Sequence, residues 1–366
     1  MNQELVGAKL QTLLDNLVRK DKSIYNATLG VATEEPNFTW AGAAGTADAA
    51  GGTAMQPETP YFLASITKMY TAVAVMILQE RGRLDLGDRL AKYLPASLIQ
   101  GIHRLKGTDY TEQITLRQLL SHTSGLADYS LERPRQGKPF HLSLFTEGDR
   151  SFTVDDVMRL VRDELTPYFP PSATQAHYSD TNYQLLGAII EAATERPLHE
   201  LFDELFFRPL GMTQTYLSGY PRMAAPAEPA KIYFKDRALN IPQAMKSIGA
   251  QGGMVSTSQD SLRFLQALTR GEVFARRETF AAMQQWNKIF FPLEYGLGLM
   301  RFKMPRWMSP FMPAPELVGH SGSTGSFLYY SAERKLYIAG TVNQVERQRA
   351  PFQIMLQVAE ILRKAR

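Results

Sequence analysis

Apolar residues recur at helical spacing at the two ends of the chain. The front set is Leu5, Leu10, Leu13, Leu14, Leu17 and Val18, and the back set, which follows Pro351, is Phe352, Ile354, Met355, Val358, Ile361 and Leu362. A repeat of three to four residues places such side chains on one face of a helix, and proline is favoured in a first helical turn. The pattern predicts that the chain begins and ends in amphipathic helices.

Strand-like stretches lie just inside these two helices. Their ranges are 23–33 and 37–45 at the front, and 295–302, 326–332 and 336–342 at the back. They are short and rich in β-branched and aromatic residues, as strands usually are. Because they come from opposite ends of the sequence, we expect a sheet assembled from both termini.

The middle of the chain carries start signals for helices. A threonine is followed three residues later by an amide or acidic side chain in Thr115/Gln118, Thr153/Asp156 and Thr257/Asp260. This spacing is typical of the capping box that opens a helix. The segments 130–150 and 218–236 are rich in proline, glycine and charge, and are interpreted as long loops that form rims or lids.

Length and composition limit the classes of protein that the chain could be. With 366 residues, 44% hydrophobic and 21% charged, it should form one large globular domain or two lobes around a cleft. Lys and Arg total 40 against 36 for Asp and Glu, with no dense basic run, so a nucleic-acid partner is not expected. The lack of cysteine excludes disulfides and thiolate metal sites.

The start of the chain and its longest apolar run bear on localisation. Met1 is followed by a polar, amphipathic stretch that does not resemble a signal peptide. The longest clean apolar run, 72–78, is far shorter than the roughly 20 residues that cross a bilayer, so no transmembrane segment is expected. The prediction is a cytoplasmic protein if Met1 is the native start; the alternative is an exported protein whose leader has been removed. The sequence does not indicate the oligomeric state.

Ser65 and Lys68 form the first candidate for chemistry. They lie one helical turn apart at the start of an apolar helix, so their side chains can touch. A serine needs a base to become a nucleophile, and a buried lysine can serve as that base. Backbone N–H groups at the helix start can also stabilise an oxyanion. The alternative is a helix-capping serine beside a solvated lysine, and this short motif alone does not decide between the two.

Further motifs follow in a fixed order. They are Phe62 to Lys68, Gly82 to Leu86, Tyr93 to Pro95, Ile114 to Leu126, Tyr178 to Tyr183, Gly252 to Met254 and Gly319 to Gly325. Over residues 55–345 the chain resembles the serine β-lactamase and penicillin-recognising enzyme superfamily, for which S-x-x-K is a signature. The companion motifs are similar to those of the class C β-lactamases, the DD-peptidases and the related esterases.

The resemblance implies a role for each matching residue. Ser65 would attack the carbonyl, Lys68 and Tyr178 would move its proton, and the N–H groups of Ser65 and Ser323 would hold the oxyanion. Lys68 would favour the phenolate of Tyr178, because a cation lowers the pKa of a phenol. The segment His320, Ser321 and Gly322 would line the acyl site.

Two residues depart from the family pattern. His320 stands where many relatives carry lysine, so we expect carboxylate anchoring there to weaken as the pH rises. Asp180 stands where asparagine is usual, and an ionised carboxylate cannot donate a hydrogen bond to a substrate carbonyl. Asp180 could instead simply stabilise a helix N-terminus. Both readings of Asp180 remain open.

The resemblance also implies a fold and an activity. The fold is mixed α/β and β-lactamase/transpeptidase-like, with an antiparallel sheet flanked by helices plus a mostly helical lobe. We expect residues 1–75 and 246–366 to form the α/β lobe and residues 76–245 to form the helical lobe. The expected function is a serine hydrolase that cleaves a small-molecule ester, amide or β-lactam through an acyl-enzyme on Ser65. Carboxylesterase or D-amino-acid peptidase activity ranks level with β-lactamase activity, and the alternative is a non-catalytic penicillin-binding sensor or scaffold.

No cofactor or metal is implied by the sequence. His103, His122, His141, His177 and His199 show no paired ligand spacing, so they are interpreted as turn, surface or packing residues.

Overall fold

A computed structural model describes residues 2–220, 227–304 and 314–365. Its α-helices are α1 (Gln3–Lys20), α2 (Thr67–Glu80), α3 (Ala96–Ile99), α4 (Leu116–Leu120), α5 (Phe140–Glu147), α6 (Val154–Glu164), α7 (Asp180–Thr194), α8 (Leu198–Phe202), α9 (Pro242–Ile248), α10 (Ser258–Thr269), α11 (Glu278–Ala282) and α12 (Ala350–Ala365).

The described residues also form short and long strands. They are β1 (Asn26–Thr33), β2 (Phe38–Asp48), β3 (Thr53–Ala54), β4 (Tyr61–Phe62), β5 (Arg104–Leu105), β6 (Thr108–Asp109), β7 (Tyr216–Leu217), β8 (Ile232–Phe234), β9 (Arg237–Leu239), β10 (Met254–Ser256), β11 (Asn287–Phe290), β12 (Leu293–Tyr295), β13 (Met300–Phe302), β14 (Leu317–Ser321), β15 (Ser326–Ser331) and β16 (Leu336–Thr341).

The largest sheet joins the two ends of the chain. Nine antiparallel strands lie in the order β11-β12-β13-β14-β15-β16-β1-β2-β3. At its centre Val31 of β1 pairs with Ile338 of β16 on one side and with Trp40 of β2 on the other. The predicted sheet built from both termini is therefore confirmed, as are the two terminal helices α1 and α12.

Helices cover both faces of this sheet, which is why its central strands are buried throughout. Every residue of β1 and of β16 is buried. Leu10 of α1 and Met355 of α12 belong to the core on one face. On the other face, α10 approaches so closely that a Cβ on Gly30 would lie 3.0 Å from the side chain of Leu262. The mixed α/β architecture that the sequence predicted is confirmed.

The helix α2 runs through the centre of the molecule. Each of its residues from Thr67 to Leu78 is buried, so this helix is surrounded by protein on all sides. It contacts α7 and the single 3₁₀ turn that precedes it, Ala64–Ile66. The predicted lobe boundaries near residues 75 and 245 stay a prediction.

The predicted helix starts are present. Thr115 and Thr153 each form a complete capping box with Gln118 and Asp156, and the Thr257 side chain accepts a hydrogen bond from the N–H of Asp260. The local sequence therefore fixes where α4, α6 and α10 begin.

Three predictions at this level were wrong in part. The range 295–302 is not one strand, because Gly298, with φ of +75°, turns the chain between β12 and β13. The range 130–150 is not wholly a loop, because α5 lies within it and buries Leu144 against the core. The other predicted loop, 218–236, lies partly outside the described residues, and its described part is not wholly a loop because it includes β8.

None of the helices in the described ranges is both long enough and apolar enough to span a bilayer.

Candidate active site

Ser65 lies in the turn Ala64–Ile66, which leads directly into α2. The residue before it, Ala64, has φ of +48°, a conformation that is uncommon for a residue with a side chain. One turn later, Lys68 places its Nζ atom 3.1 Å from Oγ of Ser65. The contact between the two side chains that their spacing predicted is present.

Lys68 is fully enclosed by protein. Its side chain has 0% exposure, and its Nζ also donates a 2.9 Å hydrogen bond to the backbone oxygen of Gln251. A third partner is Asp180, whose Oδ1 lies 2.7 Å from Nζ. A buried charge is tolerated when it is paired and hydrogen-bonded, as it is here. The sequence did not predict this ion pair.

Asp180 is the first residue of α7, where an acidic side chain also favours the helix dipole. The amide of Gln251 lies 2.8 and 2.9 Å from its two carboxylate oxygens and 2.6 Å from the hydroxyl of Tyr129. Because a carboxylate only accepts hydrogen bonds, the amide nitrogen faces Asp180 and the amide oxygen accepts from Tyr129. A chain of polar contacts thus runs from Ser65 through Lys68 and Asp180 to Gln251 and Tyr129.

Tyr178 lies two residues before α7, beside the same lysine. Its ring centroid is 5.2 Å from Nζ of Lys68 and 4.4 Å from the ring of His122. Burial raises the pKa of the Tyr178 phenol well above its usual value, the Asp180 carboxylate raises it further, and a hydrogen bond with Ser65 opposes both effects. The expected phenolate, favoured by Lys68, is therefore contradicted: Asp180 pairs with the lysine and adds negative charge beside the phenol.

The strand β14 brings its C-terminal end and the following turn against the Ser65 segment. A Cβ on Gly322 would lie 2.1 Å from Oγ of Ser326 and 2.5 Å from the backbone oxygen of Leu63, so only glycine fits. Ser326 fixes the approach by donating a 2.7 Å hydrogen bond to that same oxygen. In this way the turn that carries Ser323 is placed beside Ser65.

His320 lies beneath the site with its side chain fully enclosed. Its Nδ1 is 2.7 Å from the backbone oxygen of Ser321, and its Nε2 is 3.1 Å from the hydroxyl of Tyr295. Burial, followed by the charge of Lys68, lowers its pKa to about 3. The expected switch of charge near neutral pH is therefore wrong, because burial of the His320 ring disfavours its protonated form.

A cavity opens beside Ser65. Its lining includes Ser65, Ser323, Asp180 and Gln251. Many of its other lining residues are apolar, among them Phe140, Leu144, Phe145, Ile232, Leu239 and Ile241. Thus the segment 130–150, predicted to form a rim, does border the candidate site.

Comparison with known proteins agrees with this arrangement. The Beta-lactamase family profile matches residues 17–360. The chain belongs to the Beta-lactamase family. It is 29% identical over 289 residues to esterase EstB of Burkholderia gladioli, a match that covers 72% of this chain and 70% of that protein.

Two solved structures have a similar fold. A D-stereospecific amidohydrolase from Streptomyces sp. superimposes with a TM-score of 0.72 at 29% identity, covering 92% of this chain and 94% of the other. A D-amino acid amidase from Ochrobactrum anthropi SV3 superimposes with a TM-score of 0.78 at 22% identity, covering 98% and 99%. The predicted β-lactamase/transpeptidase-like fold is confirmed.

The family motifs account for only part of the site. Gln251 and Tyr129 were missed from the sequence, because a lone glutamine and a lone tyrosine form no pattern. His122 supports the start of α7: its Nδ1 accepts hydrogen bonds from the N–H of Ser179 at 3.1 Å and from the amide of Asn182 at 2.9 Å. This matches its interpretation as a packing residue.

Within the part of the chain that the structure describes, no group of three or more His, Asp or Glu side chains is placed to hold a metal ion.

Proposed function

We propose that this member of the Beta-lactamase family hydrolyses an ester or amide through a covalent acyl-enzyme on Ser65. The observation that carries the proposal is the 3.1 Å contact between Oγ of Ser65 and Nζ of Lys68 at the end of an open cavity. A serine hydroxyl in contact with a buried nitrogen base is the arrangement that nucleophilic catalysis requires.

In the proposed first step, Nζ of Lys68 gives one proton to the carboxylate of Asp180, 2.7 Å away, and becomes a neutral amine. It then accepts the proton of Ser65 while Oγ of Ser65 attacks the carbonyl carbon. The N–H groups of Ser65 and Ser323, which border the cavity together, would hold the oxyanion.

In the second step the leaving group needs a proton. Tyr178 keeps its proton in the resting site, because its pKa is raised, and it hydrogen-bonds with Ser65. The phenol is therefore placed to protonate the leaving alcohol or amine and to recover a proton from Lys68. Water would then attack the acyl-enzyme. The same proton transfers through Lys68 and Tyr178, run in reverse, would release the acid and restore Ser65.

Within this reaction class we favour carboxylesterase or D-amino-acid amidase activity. The names of two relatives at 29% identity, an esterase and a D-stereospecific amidohydrolase, support that choice. A β-lactamase would need a partner for the substrate carboxylate, and His320 is buried and uncharged at neutral pH.

The test is a mass spectrum of wild-type and Ser65→Ala protein after exposure to a fluorophosphonate, p-nitrophenyl butyrate and a chromogenic cephalosporin, with turnover recorded in parallel. We expect an adduct and ester turnover in the wild type and neither in Ser65→Ala. Thr71→Ser, a conservative change at a buried hydroxyl that donates to the backbone oxygens of Thr67 and Ala250, controls for handling and should keep both signals. Folded wild type that forms no adduct with any reagent would refute the nucleophile and favour the scaffold alternative.

A further inference from the structure

A second cavity lies on the other side of α9 from the cavity beside Ser65. The same helix lines the first cavity with Met245 and Ile248, and the second with Lys246 and Ser247. The second cavity has a volume of about 540 Å³, which is the size of pockets that bind small molecules. None of the residues assigned to the proposed reaction lines it.

Hydrogen bonds hold the walls of the second cavity together. The hydroxyl of Ser247 accepts a 2.9 Å hydrogen bond from the N–H of Phe152, so α9 is tied to the segment that precedes α6. The carboxylate of Asp149 accepts from the N–H groups of Gln243 and Ala244, both at 2.9 Å, and so fixes the start of α9. A cavity with fixed walls loses little conformational freedom when a ligand binds.

Gln184 of α7 brings an amide to the cavity lining. Its Nε2 donates to the backbone oxygens of Ser247 and Ile248, each at 3.2 Å, and to the hydroxyl of Tyr129 at 3.3 Å. Backbone oxygens only accept, so the amide nitrogen must face them. The Gln184 Oε1 atom has no hydrogen-bond partner among the described residues, although the residue is only 5% exposed. A ligand N–H could satisfy this oxygen.

Two opposite charges flank Tyr220 in the lining of the same cavity. Nζ of Lys246 lies 5.0 Å from the centroid of the Tyr220 ring, and its ammonium has no ion pair or hydrogen bond with the described residues. Burial, followed by the charge of Glu191, raises the pKa of the Tyr220 phenol, which places Glu191 near the same ring. Lys246 and Glu191 both line the cavity without pairing with each other, so a ligand can bind between them.

The rest of the lining favours an apolar ligand body. It includes the side chains of Phe152, Val154, Leu198 and Leu217. Opposite charges at an apolar cavity match a molecule that carries both an ammonium and a carboxylate on an apolar frame. In a dipeptide these two groups are farther apart than in a single amino acid, and a peptide N–H lies between them.

We propose that the second cavity is a binding site for a dipeptide-sized zwitterion with apolar side chains. Its carboxylate contacts Lys246, its ammonium contacts Glu191, and its peptide N–H donates to Oε1 of Gln184. This ligand site is separate from Ser65 and goes beyond the proposed hydrolysis.

Isothermal titration calorimetry with leucyl-leucine tests the proposal. The protein is Ser65→Ala, which cannot form an acyl-enzyme, and we expect saturable binding of one dipeptide per chain. Adding Lys246→Met should weaken binding at least about fivefold, because the charged contact is lost while methionine keeps the apolar stem. Adding Glu191→Gln should do the same, and it keeps an oxygen that can accept from the N–H of Leu198.

Two analogues of the dipeptide assign each charged contact. Leucyl-leucine amide lacks the carboxylate, and N-acetyl-leucyl-leucine lacks the ammonium. Each should bind Ser65→Ala at least about fivefold more weakly than leucyl-leucine does. Lys246→Met should weaken binding of the amide no further, and Glu191→Gln should weaken binding of the N-acetyl form no further, because in each case the contact is already absent.

Two control variants in the same Ser65→Ala protein locate the dipeptide. Lys22→Met removes the same charge from an exposed lysine that does not line the second cavity. Phe145→Ala alters the lining of the cavity beside Ser65. Both should keep the affinity for leucyl-leucine.

Three results would overturn the proposal. One is the lack of saturable binding up to about 10 mM leucyl-leucine. Another is binding that Phe145→Ala weakens and Lys246→Met does not, which would place the dipeptide beside Ser65. The third is equal weakening by Lys246→Met and Lys22→Met, which would reflect net charge alone. Since Ser65→Ala is used throughout, failure of the proposed hydrolysis would leave these results unchanged.

Discussion

Lys68 and Asp180 form a buried ion pair, with 2.7 Å between Nζ and Oδ1, at the point where α2 and α7 meet. The lysine side chain is fully enclosed and the aspartate side chain is 11% exposed. Each charge is therefore compensated by the other and not by water. The pair also links α2, which follows Ser65, to α7, which follows Tyr178.

This dependence predicts strong coupling in a double-mutant cycle. Lys68→Met or Asp180→Asn alone should each cost about 3 to 5 kcal/mol of unfolding free energy, because each leaves one buried charge without its partner. The double variant should cost less than the sum, with a coupling energy of about 1 to 3 kcal/mol. Urea denaturation of the four proteins measures this, and strictly additive costs would contradict the pairing.

The proton transfer assigned to Tyr178 can be isolated from its packing. Tyr178→Phe should lower kcat for a p-nitrophenyl ester about 10²- to 10⁴-fold while KM changes little, since only the hydroxyl is lost. Tyr183→Phe is the matched control: Tyr183 also lies over Lys68, at 5.6 Å, but its hydroxyl donates to the backbone oxygen of Leu120. That variant should lose some stability and keep its activity within about tenfold. Equal losses in the two variants would argue against the role of Tyr178.

The close approach at Gly322 predicts a positional effect on catalysis. Gly322→Ala would place its Cβ within 2.5 Å of the Leu63 oxygen and nearer still to Ser326, so the turn must move away from Ser65. A shift of about 1 Å in such a site can cost around a hundredfold in kcat. The change is measured by ester turnover together with thermal unfolding.

Gly51→Ala is the control for Gly322→Ala. The nearest atom to its Cβ would be the Asp48 side chain at 3.7 Å, which is ordinary contact. It should leave both activity and stability within experimental scatter. Full activity in Gly322→Ala would show that the turn does not fix the geometry around Ser65.

The sequence predicted the fold well where local patterns decide it. The capping threonines Thr115 and Thr153 marked helix starts, and the apolar repeats around Leu10 and Met355 marked the terminal helices. The range 130–150 was harder: its polar, proline-containing sequence hides α5, whose burial of Leu144 depends on the surrounding core.

The residues of the candidate site were predicted from the sequence, but their ion pairs and charge states were not. The motifs around Ser65, Tyr178 and His320 converge in space, as the family resemblance implied. The ion pair with Asp180 and the contacts of Gln251 could not be predicted, because they join residues 112 and 183 positions from Lys68. The charge of His320 was predicted wrongly for the same reason: its pKa depends on burial, which the strand sequence does not reveal.

That buried histidine makes stability depend on pH. The pKa of His320 is lowered from 6.5 to about 3 in the folded protein, so between these values the unfolded chain binds a proton that the folded chain does not. The contribution of the neutral His320 ring to the free energy of unfolding is complete above about pH 6.5 and is lost as the pH falls towards 3. Between pH 6.5 and 5 the loss should be about 2 kcal/mol from this group. Burial also lowers the pKa of His122 well below its usual value, and it acts in the same direction.

Urea unfolding at pH 7 and pH 5 measures this loss. In His320→Gln, which has no titrating ring, the difference between the two pH values should shrink by about 2 kcal/mol, whatever the cost of the substitution at pH 7. A direct check is the ring resonance of His320 in wild-type protein, which should not titrate between pH 5 and 8. Titration near pH 6.5 would mean that the ring can accept a proton in the folded protein. A cationic anchor for substrate carboxylates would then exist below that pH, contrary to the uncharged His320 on which the preference for esters and amides over β-lactams rests.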